Sequence, residues 1–130
     1  MGATVGALGP TSMGMEANVA AGLSYVFVWV SGLIIFLMEK QNRFVRFHAM
    51  QSIIFFGSLT AIRIVLLVID AFNVPFLGIF TCLIGLAIAL VGLVGWIVLM
   101  INGFQGKYFK LPIIGDYAER YANQGTGARL

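Results

Sequence analysis

Apolar residues in this chain come in long unbroken runs rather than in alternation. Three runs approach or exceed about 20 positions, the length an α-helix needs to cross a bilayer. They cover residues 19–38, which carry no charge, residues 48–69, and residues 76–101. The last is long enough to cross at a tilt. Runs this continuous predict helices, because barrel strands would show short alternating segments. The predicted fold is all-α: a polytopic membrane protein with three transmembrane helices. Residues 1–18, rich in Gly, Ala, Ser and Thr, read as a flexible N-terminal tail. Residues 19–102 form the three-helix domain and residues 103–130 a second tail. There is no internal repeat.

The second tail has a pattern of its own. Residues 107–123 read KYFKLPIIGDYAERYAN. Lys107 and Lys110 flank Tyr108 and Phe109, a mixture suited to headgroup level. Pro112 suits a first helical turn. Ile113, Ile114, Tyr117 and Tyr121 recur at helical spacing, with Asp116, Glu119, Arg120 and Asn123 opposite. This predicts a short amphipathic helix over residues 112–123, lying on the membrane surface or docked on the spans.

Composition agrees with the pattern. Of the 130 residues, 60% are hydrophobic and 10% charged. Soluble domains carry about 25% charged residues. The net charge of +3 matters less than where the charges lie. Lys40, Arg43 and Arg46 follow the first run, and Lys107, Lys110, Arg120 and Arg129 follow the third. With three crossings, seven of the eight basic residues share one side. The positive-inside rule then puts the N-terminus outside and the C-terminus in the cytoplasm, in a cell membrane. Topology accounts for the basic residues, so nucleic acid is not an expected partner.

The eighth basic residue, Arg63, lies inside the second run. A central Arg costs roughly 3 kcal/mol on an insertion scale, against roughly 0.3–0.6 returned by each Leu, Ile, Phe or Val. Twelve such residues lie between positions 49 and 69, returning roughly 4–7 kcal/mol. Arg63 is seven residues from Asp70, on nearly the same side and about 10 Å away along the axis. It either snorkels to the outer interface, pairs with Asp70, Asn73 or a carbonyl of another span, or lines a path for an ion or substrate.

Other polar residues crowd into residues 42–53, NRFVRFHAMQSI. His48, Gln51 and Ser52 share one helix face, behind Arg43 and Arg46. They either cap backbone and link helices, or receive a ligand, proton or pigment metal. Only one histidine is present, and no Cys or carboxylate set accompanies His48, which argues against a metal site and leaves His48 a weak candidate for any cofactor. Cys82, the single cysteine, sits in an apolar run and reads as packing. No Ser-His-acid set, phosphate loop or paired catalytic carboxylates is present. The expected cofactor content is therefore none, and the expected protein non-enzymatic.

Small residues suggest how the helices meet. Gly85, Ala89 and Gly92 form a stripe in the third run, and Ala20, Ser24 and Ser31 one in the first. Such stripes let backbones approach in lipid, either within one chain or towards another subunit or a second copy.

Residues 31–53, SGLIIFLMEKQNRFVRFHAMQSI, resemble a family of small bacterial and archaeal membrane proteins of unknown function. Its members show a first span ending in Glu-Lys, as at Glu39-Lys40, then a segment close to RFHAxQS, as at residues 46–52. A Pro-x-x-Gly element like Pro112–Gly115 follows in the tail. The family is distantly similar to the twenty-kilodalton channel component of the chloroplast inner-envelope translocon, which has four spans. The resemblance implies three helices and marks Arg43, Phe44, Arg46, Phe47, His48, Gln51 and Ser52 as the shared motif. It implies no activity. The expected function is an accessory or scaffold subunit of a larger membrane complex, in contact with lipids and with other subunits or itself. The alternatives are an oligomeric transport or protein-translocation component, and lipid or pigment binding.

Overall fold

The computed structural model describes residues 9–122, which form five helices. They are α1 (Ala17–Val26), α2 (Val28–Met38), α3 (Arg43–Asp70), α4 (Leu77–Phe104) and α5 (Ile114–Ala122). Helices α3 and α4 have 28 residues each. At 1.5 Å per residue each is about 42 Å long, enough to cross a bilayer. They form an antiparallel hairpin. Asn42 opens α3 by accepting the Val45 amide on its side chain at 3.1 Å. The turn between them uses left-handed backbone at Asn73 and Phe76, and the Thr81 hydroxyl donates to the Asp70 carboxylate across it.

The first apolar run is not one spanning helix. It breaks at Phe27, and Val28 takes a left-handed φ of 52°. The resulting helices have 10 and 11 residues, about 15–17 Å each, too short to cross a hydrocarbon core of about 30 Å. The break is held by side chains. Ser31 Oγ accepts from the Phe27 amide and donates to the Ser24 carbonyl, both at 3.0 Å. Trp96 Nε1 donates to the Tyr25 carbonyl at 2.8 Å, and Ser52 Oγ to the Val28 carbonyl at 2.9 Å. The carbonyls of Ser24, Tyr25 and Val28 at the break are thereby satisfied inside the protein, as a broken helix in an apolar setting requires.

Because of the break the chain doubles back. Residues 9–12 lie beside residues 39–42: the Ser12 amide and hydroxyl both donate to the Glu39 carboxylate, and Asn42 Nδ2 donates to the Pro10 carbonyl. Asn18 Nδ2 donates to the carbonyl of Phe104, at the end of α4. The entry to α1, the exit of α2, the start of α3, the end of α4 and α5 therefore gather at one end, here called the hub.

Three expectations change. The first apolar run forms the returning pair α1–α2, which leaves two of the described helices, α3 and α4, long and apolar enough to cross a membrane. The N-terminal segment lies at the same end as the C-terminal tail, not opposite it. Residues 9–16 are tied to the hub rather than loose, with Met13 and Met15 packed on its core. The charge census could not separate these topologies. No basic residue precedes the first run, so turning a span into a returning hairpin leaves the basic clusters together. Residues 1–8 and 123–130, including Asn123 and Arg129, lie outside the described residues.

The core follows the hub. Buried residues of α3 run from Phe44 to Phe56, with Leu66 the one exception. Beyond that level α3 and α4 have only each other. Ile64, Val65, Leu67 and Val68 on α3, and Ile79, Leu83, Leu86 and Leu90 on α4, are all about half exposed.

Candidate functional site

Asn42, Arg46, His48, Gln51 and Ser52 of NRFVRFHAMQSI converge in the hub, and each holds backbone. His48, Gln51 and Ser52 are fully buried. His48 Nε2 lies 2.8 Å from the Lys107 carbonyl, which can only accept. The proton therefore sits on Nε2, and Nδ1 accepts from the Tyr25 hydroxyl at 2.5 Å. The same phenol oxygen accepts from Gln51 Nε2 at 3.0 Å. Gln51 also donates to the Phe109 carbonyl and accepts from the Leu111 amide, both at 2.9 Å.

Residues 107, 109 and 111 belong to the non-helical stretch between α4 and α5. One histidine and one glutamine, three residues apart on α3, grip alternate peptides of that stretch. Every polar atom in the set has a partner, which a buried network requires. The His48 ring is also enclosed by the edges of Phe44, Phe47 and Tyr25, with centroids 4.6, 5.0 and 5.5 Å away.

Arg46 plays the same part for helix ends. Its guanidinium donates to the carbonyls of Glu39 at 2.6 Å, Phe36 at 3.3 Å and Ala122 at 2.6 Å. These are the last carbonyls of α2 and α5, so one cation meets the negative ends of two helices. It lies 4.1 Å over the Phe36 ring. Arg43, half-buried, is the first residue of α3.

Sequence reasoning did not pick out Glu39 as a site residue. Its buried carboxylate accepts from the amides of Ser12, Gln41 and Asn42. Burial pushes its pKa up, but these hydrogen bonds outweigh that and hold it below the usual carboxylate range. Tyr25 and Trp96 were missed as well. Both carry a polar tip inside an apolar run, and such a tip needs a partner.

The remaining candidates separate. Arg63 is exposed, and its guanidinium lies over Gly85 of α4, where an added Cβ would meet Nη1 at 2.6 Å. It makes no hydrogen bond or ion pair among the described residues. Asp70 bonds Thr81 instead. Both line a groove of about 650 Å³ between α3 and α4, with Thr81, Cys82, Gly85 and Ala89. Cys82 is exposed there.

The stripe on α4 faces α3 in the same chain: Gly85 meets Arg63 and Gly92 meets Leu59. The other stripe is divided by the break. Ala20 and Ser24 are buried on α1, while Ser31 folds back from α2 onto Ser24. A close backbone approach also involves a pair outside both stripes, since a Cβ on Gly103 would lie 3.0 Å from the Gly22 amide nitrogen. In α5 the small residues Gly115, Ala118 and Ala122 are buried, while Tyr117 and Tyr121 are 45% and 43% exposed, the reverse of the apolar face read from the spacing. Among the described residues, no group of three or more His, Cys, Asp or Glu could hold a metal ion.

A family model described as the Magnetosome magnetite crystal formation protein family matches residues 10–118. The chain belongs to that family. It is also similar to three archaeal proteins, each named a UPF0132 membrane protein. One from Methanocaldococcus jannaschii is 40% identical over 115 residues, covering 88% of this chain and 96% of its own length. A second from that organism is 41% identical over 111 residues, covering 85% and 73%. One from Archaeoglobus fulgidus is 39% identical over 109 residues, covering 82% and 95%. No solved structure matches. Family membership and the two long apolar helices make this a membrane protein of a family whose archaeal members are named for location alone. The matched region takes in most of the hub, from the Ser12–Glu39 contact to Ala118 in α5.

Proposed function

We propose that this chain is a non-enzymatic membrane scaffold or accessory subunit. Helices α3 and α4 cross the bilayer, α1–α2 enters and leaves on one face, and α5 lies at that face. Seven of the eight basic residues belong to the hub end or its tail, which favours a cytoplasmic hub and both termini inside. One observation carries the reading: the buried polar side chains of the shared motif are spent on backbone groups and on the Tyr25 hydroxyl inside the protein. His48 has both ring nitrogens occupied and Gln51 all of its amide partners. Such a set holds a shape and leaves no group placed to work on a substrate, nor a free imidazole nitrogen for a pigment metal. Crystal formation, the task in the family's description, is likewise an assembly task rather than a turnover.

Native purification in a mild detergent tests the role. A co-purifying membrane protein or a stable homo-oligomer is expected, and a monodisperse monomer with nothing bound would overturn it. Topology has its own test. In a Cys82→Ser background, single cysteines at Met13, Gln41 and Asn73 are labelled with an impermeant maleimide. Labels at 13 and 41 from one face and at 73 from the other are expected. Labelling of 13 from the face of 73 would restore three crossings.

A second reading, an oligomeric transport component, draws support from Arg63 beside the α3–α4 groove. Liposomes carrying the protein would then leak ions or small anions, and Arg63→Leu would change the flux. Flux no greater than in protein-free vesicles removes this reading.

A further inference from the structure

The two ends of this molecule differ in width, and a bilayer reads that difference. At the hub end, α3 and α4 are joined by α1 and α2. The tip of the α1–α2 pair lies level with Ser52 to Phe56 on α3: Ser52 donates to the Val28 carbonyl, and Val28 and Trp29 pack on the cluster that holds Phe55 and Phe56. That level is 9–13 residues from Arg43, about 14–20 Å along a helix of about 42 Å. Past it only α3 and α4 continue. Helices are about 10 Å across, so the added pair roughly doubles the cross-section of one half while leaving the other unchanged.

The pair is built to sit in lipid. Residues 17–38 contain no charged side chain. The outward face of α2 is apolar and open: Val30, Leu33, Ile34, Leu37 and Met38 are 39–57% exposed, and Phe27 at the tip is 72% exposed. Contiguous apolar surface of this kind is seldom left to water. At the break the Phe27 amide and the carbonyls of Ser24, Tyr25 and Val28 are hydrogen-bonded internally, which lowers the cost of insertion. The pair is also held along its length, through Ser12 on Glu39 at its base, Gly22 against Gly103, and Gly32 against Ser52. It is therefore a rigid addition to one leaflet and not a loose loop.

We infer that the chain is a curvature-sensing wedge: it prefers, and at high density promotes, membrane that is convex on the hub side. Its ligand is the curved lipid bilayer itself. Added area in one leaflet is best accommodated where that leaflet is expanded, on the outer face of a small vesicle when the hub points outward. This rests on the two-crossing topology proposed above. A second copy packed on the far half of α3–α4 would widen that half and cancel the effect, so the same experiment also reports on that arrangement.

The test uses the full chain labelled at Cys82 with a fluorophore. It is reconstituted into phosphatidylcholine–phosphatidylglycerol vesicles of mixed diameter. Protein density per unit area is read vesicle by vesicle. Trypsin added outside sorts hub-out from hub-in copies, which serve as an internal control. Hub-out copies are expected to be about threefold denser on the smallest vesicles than on the largest, the shift a differential of roughly RT produces, and hub-in copies to show the opposite trend. Density independent of diameter in both orientations overturns the inference, as does enrichment of hub-in copies on small vesicles. The cysteine labelling described above separates the two levels. If 13 and 41 label from one face and density is flat, the wedge fails and the topology stands. If they label from opposite faces, both fail.

Discussion

Replacing Gln51 by Leu tests the grip of α3 on the stretch between α4 and α5. The side chain makes three hydrogen bonds, to Tyr25, Phe109 and Leu111, at 2.9–3.0 Å. Leucine is apolar and of similar size, so the hub stays filled while all three are lost. Two of the three bonds, to Phe109 and Leu111, belong to the stretch, so at roughly 0.5–1.5 kcal/mol net for each it loses about 2 kcal/mol of its attachment. Tenfold in an equilibrium corresponds to about 1.4 kcal/mol, so the detached population should rise about thirtyfold. Lys107 and Lys110 lie in this stretch, which makes trypsin a direct reporter. When opening and closing are fast, cleavage follows the open population. Purified wild type and Gln51→Leu in detergent micelles are digested side by side, and cleavage after residues 107 and 110 is timed by mass spectrometry. Ser52→Ala is the control, because its bond goes to Val28 at the α1–α2 break and not to this stretch. Cleavage of Gln51→Leu within about twofold of wild type would refute the reasoning, since it would put the attachment below about 0.5 kcal/mol.

Three further outcomes are expected. Arg46→Met removes donors from the ends of α2 and α5 and should lower stability by about 3 kcal/mol or more, read by unfolding in mixed micelles; Arg46→Lys, a point donor in place of a fork, should recover only part of it. Glu39 titrates lower folded than unfolded, so its contribution is complete above the unfolded value of about 4.3, begins to fall as pH drops through it, and is gone below the folded value. Hydrogen exchange of residues 12–16 should accelerate over that acid window in wild type, while Glu39→Gln should be loose at pH 7 and indifferent to pH. Gly103→Leu forces a side chain into the Gly22 backbone and should cost about 1–3 kcal/mol through overpacking, with α1 losing amide protection before α3.

Much of the organisation was legible because it depends on local rules. Unbroken apolar length marked α3 and α4, and their bounds extend a few residues beyond the predicted runs at the hub end. The helix after Pro112 was visible from its spacing, although the face that buries is the one with the small residues Gly115, Ala118 and Ala122, on a helix whose last carbonyl is held by Arg46 of α3. The shared face of His48, Gln51 and Ser52 was also visible, since i, i+3 and i+4 positions coincide on any helix. Their partners were not. Lys107, Phe109 and Leu111 offer only backbone groups, and a backbone carbonyl carries no residue code.

By itself the sequence determined the membrane setting, the two long helices, the gathering of basic charge at one end and the polar face of α3. Each of these is a sum or a periodicity over neighbouring residues, and none requires knowing what lies opposite. Only the tertiary structure decided that the first apolar run turns back. Twenty apolar residues satisfy the length of a span whether straight or broken. Nothing within them forces the bend at Phe27 and Val28. It depends on Ser52 and Trp96, supplied by two other helices, reaching the carbonyls that the bend releases. The return of the chain, with Ser12 on Glu39 and Arg46 on Ala122, brings the ends of the described chain to one end of the molecule and makes one half broad and the other narrow.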